Sequence, residues 1–137
     1  MRCVNPFPMW LGGRGDVSDL SAVVALGVEA IVDLADAEPP LAVPRSLVHI
    51  RLPLVDGGGN PTWLLRLAVE VVERLVNGNV PTLVCCQSGM SRSPSVVALA
   101  LSRVTGQPPA ESLARCVGPG ASDVSPVLWH ELLQSLR

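Results

Sequence analysis

Val80-Pro81-Thr82-Leu83-Val84-Cys85-Cys86-Gln87-Ser88-Gly89-Met90-Ser91-Arg92-Ser93-Pro94-Ser95 is the stretch on which the rest of the chain depends. Thr82 to Cys85 predicts a short buried strand, a tight loop follows, and a helix begins near Ser93. Val96, Val97, Leu99, Ala100 and Leu101 continue it as a buried helix that stops at Gly106 and Pro108-Pro109. Pro94 suits the first turn, where its missing N–H would have no partner anyway. The loop itself runs Cys86, five residues, Arg92, then Ser93. Such a loop is an anion site with a nucleophile at its floor.

Each residue type there has a physical task. A loop wrapping ahead of a helix turns successive backbone N–H groups inward, here those of Gln87, Ser88, Gly89, Met90 and Ser91, and the helix dipole adds positive potential. Gly89 permits a tight or left-handed turn without a Cβ clash. Arg92 supplies a planar fork matched to two phosphate oxygens, which Lys cannot reproduce. The field that attracts phosphate also favours the thiolate of Cys86. Ser93 is placed to donate a hydrogen bond to the sulfur when it leaves.

Cys-x5-Arg alone is a weak signal, but Gly89, Ser91 and Ser93 make the full string specific. Cys86-Gln87-Ser88-Gly89-Met90-Ser91-Arg92-Ser93 resembles the signature loop of the cysteine-dependent protein phosphatases, most closely the dual-specificity group. The resemblance implies a protein-tyrosine-phosphatase-like α/β fold and a cysteinyl-phosphate intermediate on Cys86. It also implies a general acid upstream of the nucleophile by about one helix plus turns. Asp56 fits that place, since it follows a strand and precedes Gly57-Gly58-Gly59, a mobile stretch able to close over bound phosphate. Asp33, in mid-strand, and Asp36, in a Pro-rich loop, are weaker candidates, and a plain turn role for Asp56 is the alternative. One departure stands out: this family usually carries His before the nucleophile, and here Cys85 stands in its place. Cys85 is either a trap for oxidised Cys86 or a small buried thiol filling the space of that His. Strand alternation, which sends neighbours to opposite faces, favours the second.

Composition bounds the rest. A chain of 137 residues, 48% apolar, suits one globular domain, so residues 1–137 read as a single dual-specificity phosphatase-like catalytic domain. No apolar run is long enough to cross a bilayer, and Met1 to Pro8 lacks a signal-peptide core, which points to the cytoplasm. The four cysteines have neither disulfide-scaffold nor zinc spacing, so no metal and no cofactor is expected. A net charge of −2 without a basic run gives no nucleic-acid surface. All ten basic residues are Arg, which excludes Schiff-base lysines and a lysine-bearing nucleotide loop.

In chain order, Trp10 to Gly13 is a strand or turn entry. Asp16 or Ser18 caps a helix carrying Leu20, Val23, Val24 and Leu26, with Gly27 as its stop. Val28 to Ala35 and Leu47 to Leu54 read as strands separated by a Pro-rich loop, with His49 a structural strand histidine. Asn60-Pro61 opens a helix to about Val76 whose buried face is Trp63, Leu64, Leu67, Ala68, Val71, Val72 and Leu75. Ala110 to Val117 is a short helix, and Gly118-Pro119-Gly120 breaks it. Ser125-Pro126 then opens a last helix with Trp129, Leu132, Leu133 and Leu136 inward, and His130 and Glu131 in solvent. Strands alternating with helices give one α/β domain, a mostly parallel sheet of four to five strands with helices on both faces.

Gln87, Ser88 and Met90 are not basic, which disfavours a multiply charged headgroup. The substrate expected is a phosphorylated protein, at tyrosine and at serine or threonine. An RNA 5′-phosphate or a small phosphomonoester is the alternative, and a phospho-binding pseudophosphatase is the non-catalytic one. A sulfurtransferase or arsenate reductase also uses an anion loop with Cys, but arsenate reductases of the small-phosphatase type carry theirs near the N-terminus. The oligomeric state is open.

Overall fold

Thr82–Cys86 is the middle strand, β5, of a five-stranded sheet, and every residue of it is buried. The computed structural model describes residues 1–118 and 123–137. Along the sheet the order is β1 (Arg2–Cys3), β2 (Met9–Gly13), β5, β3 (Ala30–Asp33) and β4 (Val48–Arg51). β2, β5, β3 and β4 are parallel, and β1 alone is antiparallel to its neighbour. The two-residue β1 is too short to show a period in the sequence. β3 and β4 are shorter than the apolar stretches 28–35 and 47–54, because hydrogen-bonded pairing rather than burial ends a strand.

Strand alternation divides the core. Val84 and Cys86 face a large apolar layer shared with α2 (Thr62–Asn77), α3 (Arg92–Thr105), α4 (Pro109–Val117) and α5 (Pro126–Ser135). Leu83 and Cys85 face a smaller one with Val17, Val23, Val28, Ile31 and Leu47, covered by a 3-10 turn (Asp16–Ser18) and α1 (Leu20–Ala25). Helices therefore cover both faces, unevenly. α3 lies against α2 and α4, and its residues Arg92 to Leu101 are all buried. Gly106 ends it in the left-handed conformation, as a C-terminal glycine should.

Three local expectations need correction. Asp19, not Asp16 or Ser18, caps α1 by accepting the Ala22 N–H, and Val24 and Leu26 are exposed. Asn60 does not cap α2, since its side chain is spent on the loop before it. The buried face of α2 is Leu64, Leu65, Ala68, Val69, Val72 and Val76, one residue on from the face expected, and Trp63 is 64% exposed. That helix is apolar over so wide an arc that periodicity does not choose a face. Packing against α3 and α5 chooses it. In α5, Ser125 caps as expected and Leu132 is buried, but Leu128 is the other fully buried leucine, with Trp129, Leu133 and Leu136 half-buried against the core. The break at Gly118-Pro119-Gly120 lies partly outside the described residues. None of the described helices is long and apolar enough to cross a membrane.

Candidate active site

Cys86 ends the central strand β5, and α3 begins six residues later at Arg92. Between them the chain turns on Gly89, which has φ +77°. Its N–H donates to the Cys86 sulfur at 3.2 Å. The amides of Ser88 and Met90 have no acceptor among the described residues. Donors are thus arrayed ahead of a helix N-terminus around the sulfur of a residue that is only 2% exposed.

The loop rests on the end of β2, a support that the signature string does not reveal. A Cβ on Gly89 would stand 2.7 Å from the Gly12 carbonyl carbon, and one on Gly13 would stand 2.7 Å from the Gln87 oxygen. Arg14 N–H donates to that same Gln87 oxygen at 3.0 Å. Gly12-Gly13 is therefore the bed on which the loop lies, and only glycine allows so close a backbone approach. The adjacent glycines in an apolar strand were the available signal.

Arg92 is fixed at its outer end. Its Nη1 donates to the Leu54 carbonyl at 2.8 Å and to the Asp36 carboxylate at 2.9 Å. Both bonds use one nitrogen, which leaves the rest of the planar fork for a ligand. Asp36 is thereby a partner of the arginine. Asp33 is also accounted for: it is fully buried, takes Arg14 Nη1 at 2.8 Å and accepts the Ala35 N–H at 3.0 Å.

Asp56 comes to the loop from the far end of β4. Ser91 Oγ donates to its Oδ1 at 2.6 Å, and the same Oγ accepts the Ser125 N–H at 2.9 Å. Ser91 thus joins the Asp56 loop, the Cys86–Arg92 loop and the start of α5. Asn60 shapes the Asp56 loop, accepting from Val55 N at 2.8 Å and donating to the carbonyls of Val55 and Gly57. Ser93 Oγ is buried near the start of α3 and has no hydrogen-bond partner among the described residues.

Cys85 points to the opposite face from Cys86 and donates its S–H to Asp33 Oδ1 at 3.7 Å. Burial, then the nearby Asp33 charge, push its thiol pKa well above the ordinary range. Of the remaining expected residues, Gln87, Ser88 and Met90 line the loop, and Met90 is among the exposed large apolar side chains. His49 lies in β4 with Nε2 buried and unpaired, away from these loops. No group of three or more His, Cys, Asp or Glu among the described residues could hold a metal ion.

No protein-family model matches the chain, and no curated protein sequence matches it. Solved structures do match. Human DUSP28 superimposes with a TM-score of 0.81 at 22% identity, over 96% of this chain and 92% of that one. DUSP15 matches with a TM-score of 0.77 at 24% identity, over 98% and 85%. The human tyrosine phosphatase-like serine/threonine/tyrosine-interacting protein matches at 0.75 and 18% identity, over 98% and 93%. Likeness at that identity is likeness of fold, and it spans the whole sheet and its helices: the chain has the fold of the dual-specificity phosphatases.

Proposed function

We propose that the chain is a cysteine-dependent phosphatase of the dual-specificity type, acting on phosphotyrosine and phosphoserine or phosphothreonine of proteins. One observation carries the reading. Cys86, the loop amides, Arg92 and Asp56 are drawn to one place by bonds from separate segments, the Ser91–Asp56 bond above all. In the first step the Cys86 thiolate attacks phosphorus and the P–O ester bond breaks. The leaving oxygen takes a proton from Asp56. Ser91 occupies Oδ1 of that carboxyl, so Oδ2 is the oxygen that carries the proton. In the second step water attacks the cysteinyl phosphate and gives its proton to Asp56. Inorganic phosphate departs and the thiolate returns, with the unpaired Ser93 hydroxyl available to donate to it.

The rim supports a protein substrate over a polyanionic one. Val55, Met90 and Val127 are exposed and apolar, one on each of the three segments that meet there. The two arginines nearest the loop are tied to Asp33 and Asp36. Beyond the fork of Arg92, the described residues of these segments hold no Lys or Arg for the further phosphates of an RNA end.

Turnover of a phosphopeptide panel beside 4-nitrophenyl phosphate tests the proposal. Cys86→Ser is expected to abolish hydrolysis while vanadate still binds. Near-normal hydrolysis by that variant would remove the reading. A second reading, a phospho-binding protein without turnover, draws on the similarity to a phosphatase-like interacting protein. Tight phosphopeptide binding by the wild type with no hydrolysis of any ester would favour it.

A further inference from the structure

Glu131 was expected in solvent; it is half-buried, and its carboxylate is engaged. From the second turn of α5 its carboxylate accepts the Gly59 N–H through both oxygens, at 3.3 and 3.2 Å. Gly59 is 72 residues away in sequence and closes the loop that carries Asp56. A second observation fixes the same contact. A Cβ on Gly58 would meet Val127 at 3.0 Å and a Glu131 oxygen at 3.2 Å, so the loop lies directly on α5.

The acid loop is thus gripped at three points. Asn60 holds its entry, Ser91 holds Asp56 itself, and Glu131 holds its exit. The first grip is local, and the second comes from the phosphate loop itself. Only the third comes from a rigid helix outside the phosphate loop. A cavity of about 200 Å³, lined by Asn60, Thr62, Leu65, Glu131, Gln134 and Ser135, lies behind it. A loop of three glycines has many conformations to lose, and a charge-assisted bond to one of their amides selects among them.

We propose that Glu131 is a positioning residue that sets the reach of the acid loop, acting on the reaction through Asp56. The proposal rests on Asp56 being the general acid. It differs from a purely structural role in one respect: the effect of removing Glu131 must depend on how much help the leaving group needs. Misplacing an acid should slow poor leaving groups and spare good ones.

The experiment compares wild type, Glu131→Ala, Glu131→Gln, Asp56→Asn and the Asp56→Asn/Glu131→Ala double variant on phenyl phosphate and 4-nitrophenyl phosphate. Glu131→Ala is expected to lower kcat/KM for phenyl phosphate roughly 10-fold and to leave 4-nitrophenyl phosphate within about twofold. Glu131→Gln keeps an oxygen for the Gly59 amide and should stay close to wild type on both esters. In the Asp56→Asn background, Glu131→Ala should add nothing. Hydrogen exchange at the Gly59 amide should quicken in Glu131→Ala and not in Glu131→Gln, which reports the bond without reference to turnover. Equal losses on both esters, or an undiminished further loss in the Asp56→Asn background, would overturn the proposal and leave the acid assignment standing. If Asp56→Asn itself shows no leaving-group dependence, or if wild type hydrolyses neither ester, the acid assignment fails and takes this proposal with it.

Discussion

At the scale of single residues, the arginine and the two aspartates upstream of it form a chain of restraints. Arg92 has one nitrogen engaged twice, by Leu54 and Asp36. Lys at this position has one compact ammonium, which cannot hold those two acceptors and also present two parallel donors to phosphate. Arg92→Lys is therefore expected to lose most activity. Asp36→Ala, which frees the fork without removing it, should raise KM more than it lowers kcat in steady-state assays. On the other face of β5, Arg14 neutralises the fully buried Asp33. Arg14→Ala leaves that carboxylate uncompensated and is expected to cost about 3 kcal/mol in urea unfolding. Adding Asp33→Asn should recover part of the loss. Cys85 shares this buried network and faces away from Cys86, so it is badly placed as a redox partner. After peroxide and then a dithiol, wild type and Cys85→Ser should recover activity equally.

At the scale of elements, two glycines are needed for different physical reasons, one for its positive φ and one for a close backbone approach. Gly106 ends α3 at φ +79° with nothing near its Cβ position. Gly106→Ala should cost about 1 kcal/mol of stability through backbone strain alone, with activity per folded molecule unchanged. Gly13→Ala must push its new carbon into the backbone of Gln87 and Ser88. It should therefore impair turnover and vanadate binding far more than Gly106→Ala does, in parallel assays of the two proteins. This contrast also shows what the chain discloses about itself. The strand, loop and helix around Cys86 are legible because apolar residues, turn residues and a breaker follow one another in local order. The parallel sheet follows from the alternation of such units. The bed of Gly12-Gly13, the grip of Glu131 and the bond from Ser91 are not legible, because each depends on segments tens of residues apart. A glycine pair or a glutamate on a helix has the same local meaning whatever lies across from it. For the same reason the face of α2 was one residue off.

At the scale of the whole molecule, alkaline stability has an unusually simple origin. The chain has neither Lys nor Tyr, so few groups besides thiols titrate between pH 9 and 11. Burial raises Cys85 above its ordinary 9.0 and pushes Cys116 up to about 12. Both thiols hold their protons in the folded state where the unfolded chain has lost them. Their contribution is complete below pH 9 and drains away as pH rises towards the folded values. The slope is roughly 1 kcal/mol per pH unit for each thiol. Urea midpoints from pH 8 to pH 11 should fall accordingly, and Cys116→Ser should remove about half of the slope. A flat profile would show that the thiols ionise alike in both states.

The order of the strands has a consequence for how the protein comes into being. β5 sits between β2 and β3, yet it is the last of the five to leave the ribosome. Until residue 82 is made, β1-β2 and β3-β4 are two fragments with no strand to join them, each with an unpaired inner edge. The strand that unites them is the one that ends in Cys86. The sheet therefore cannot be joined before the strand that delivers Cys86 is made, and the anion loop and α3 follow that strand directly in the order of synthesis.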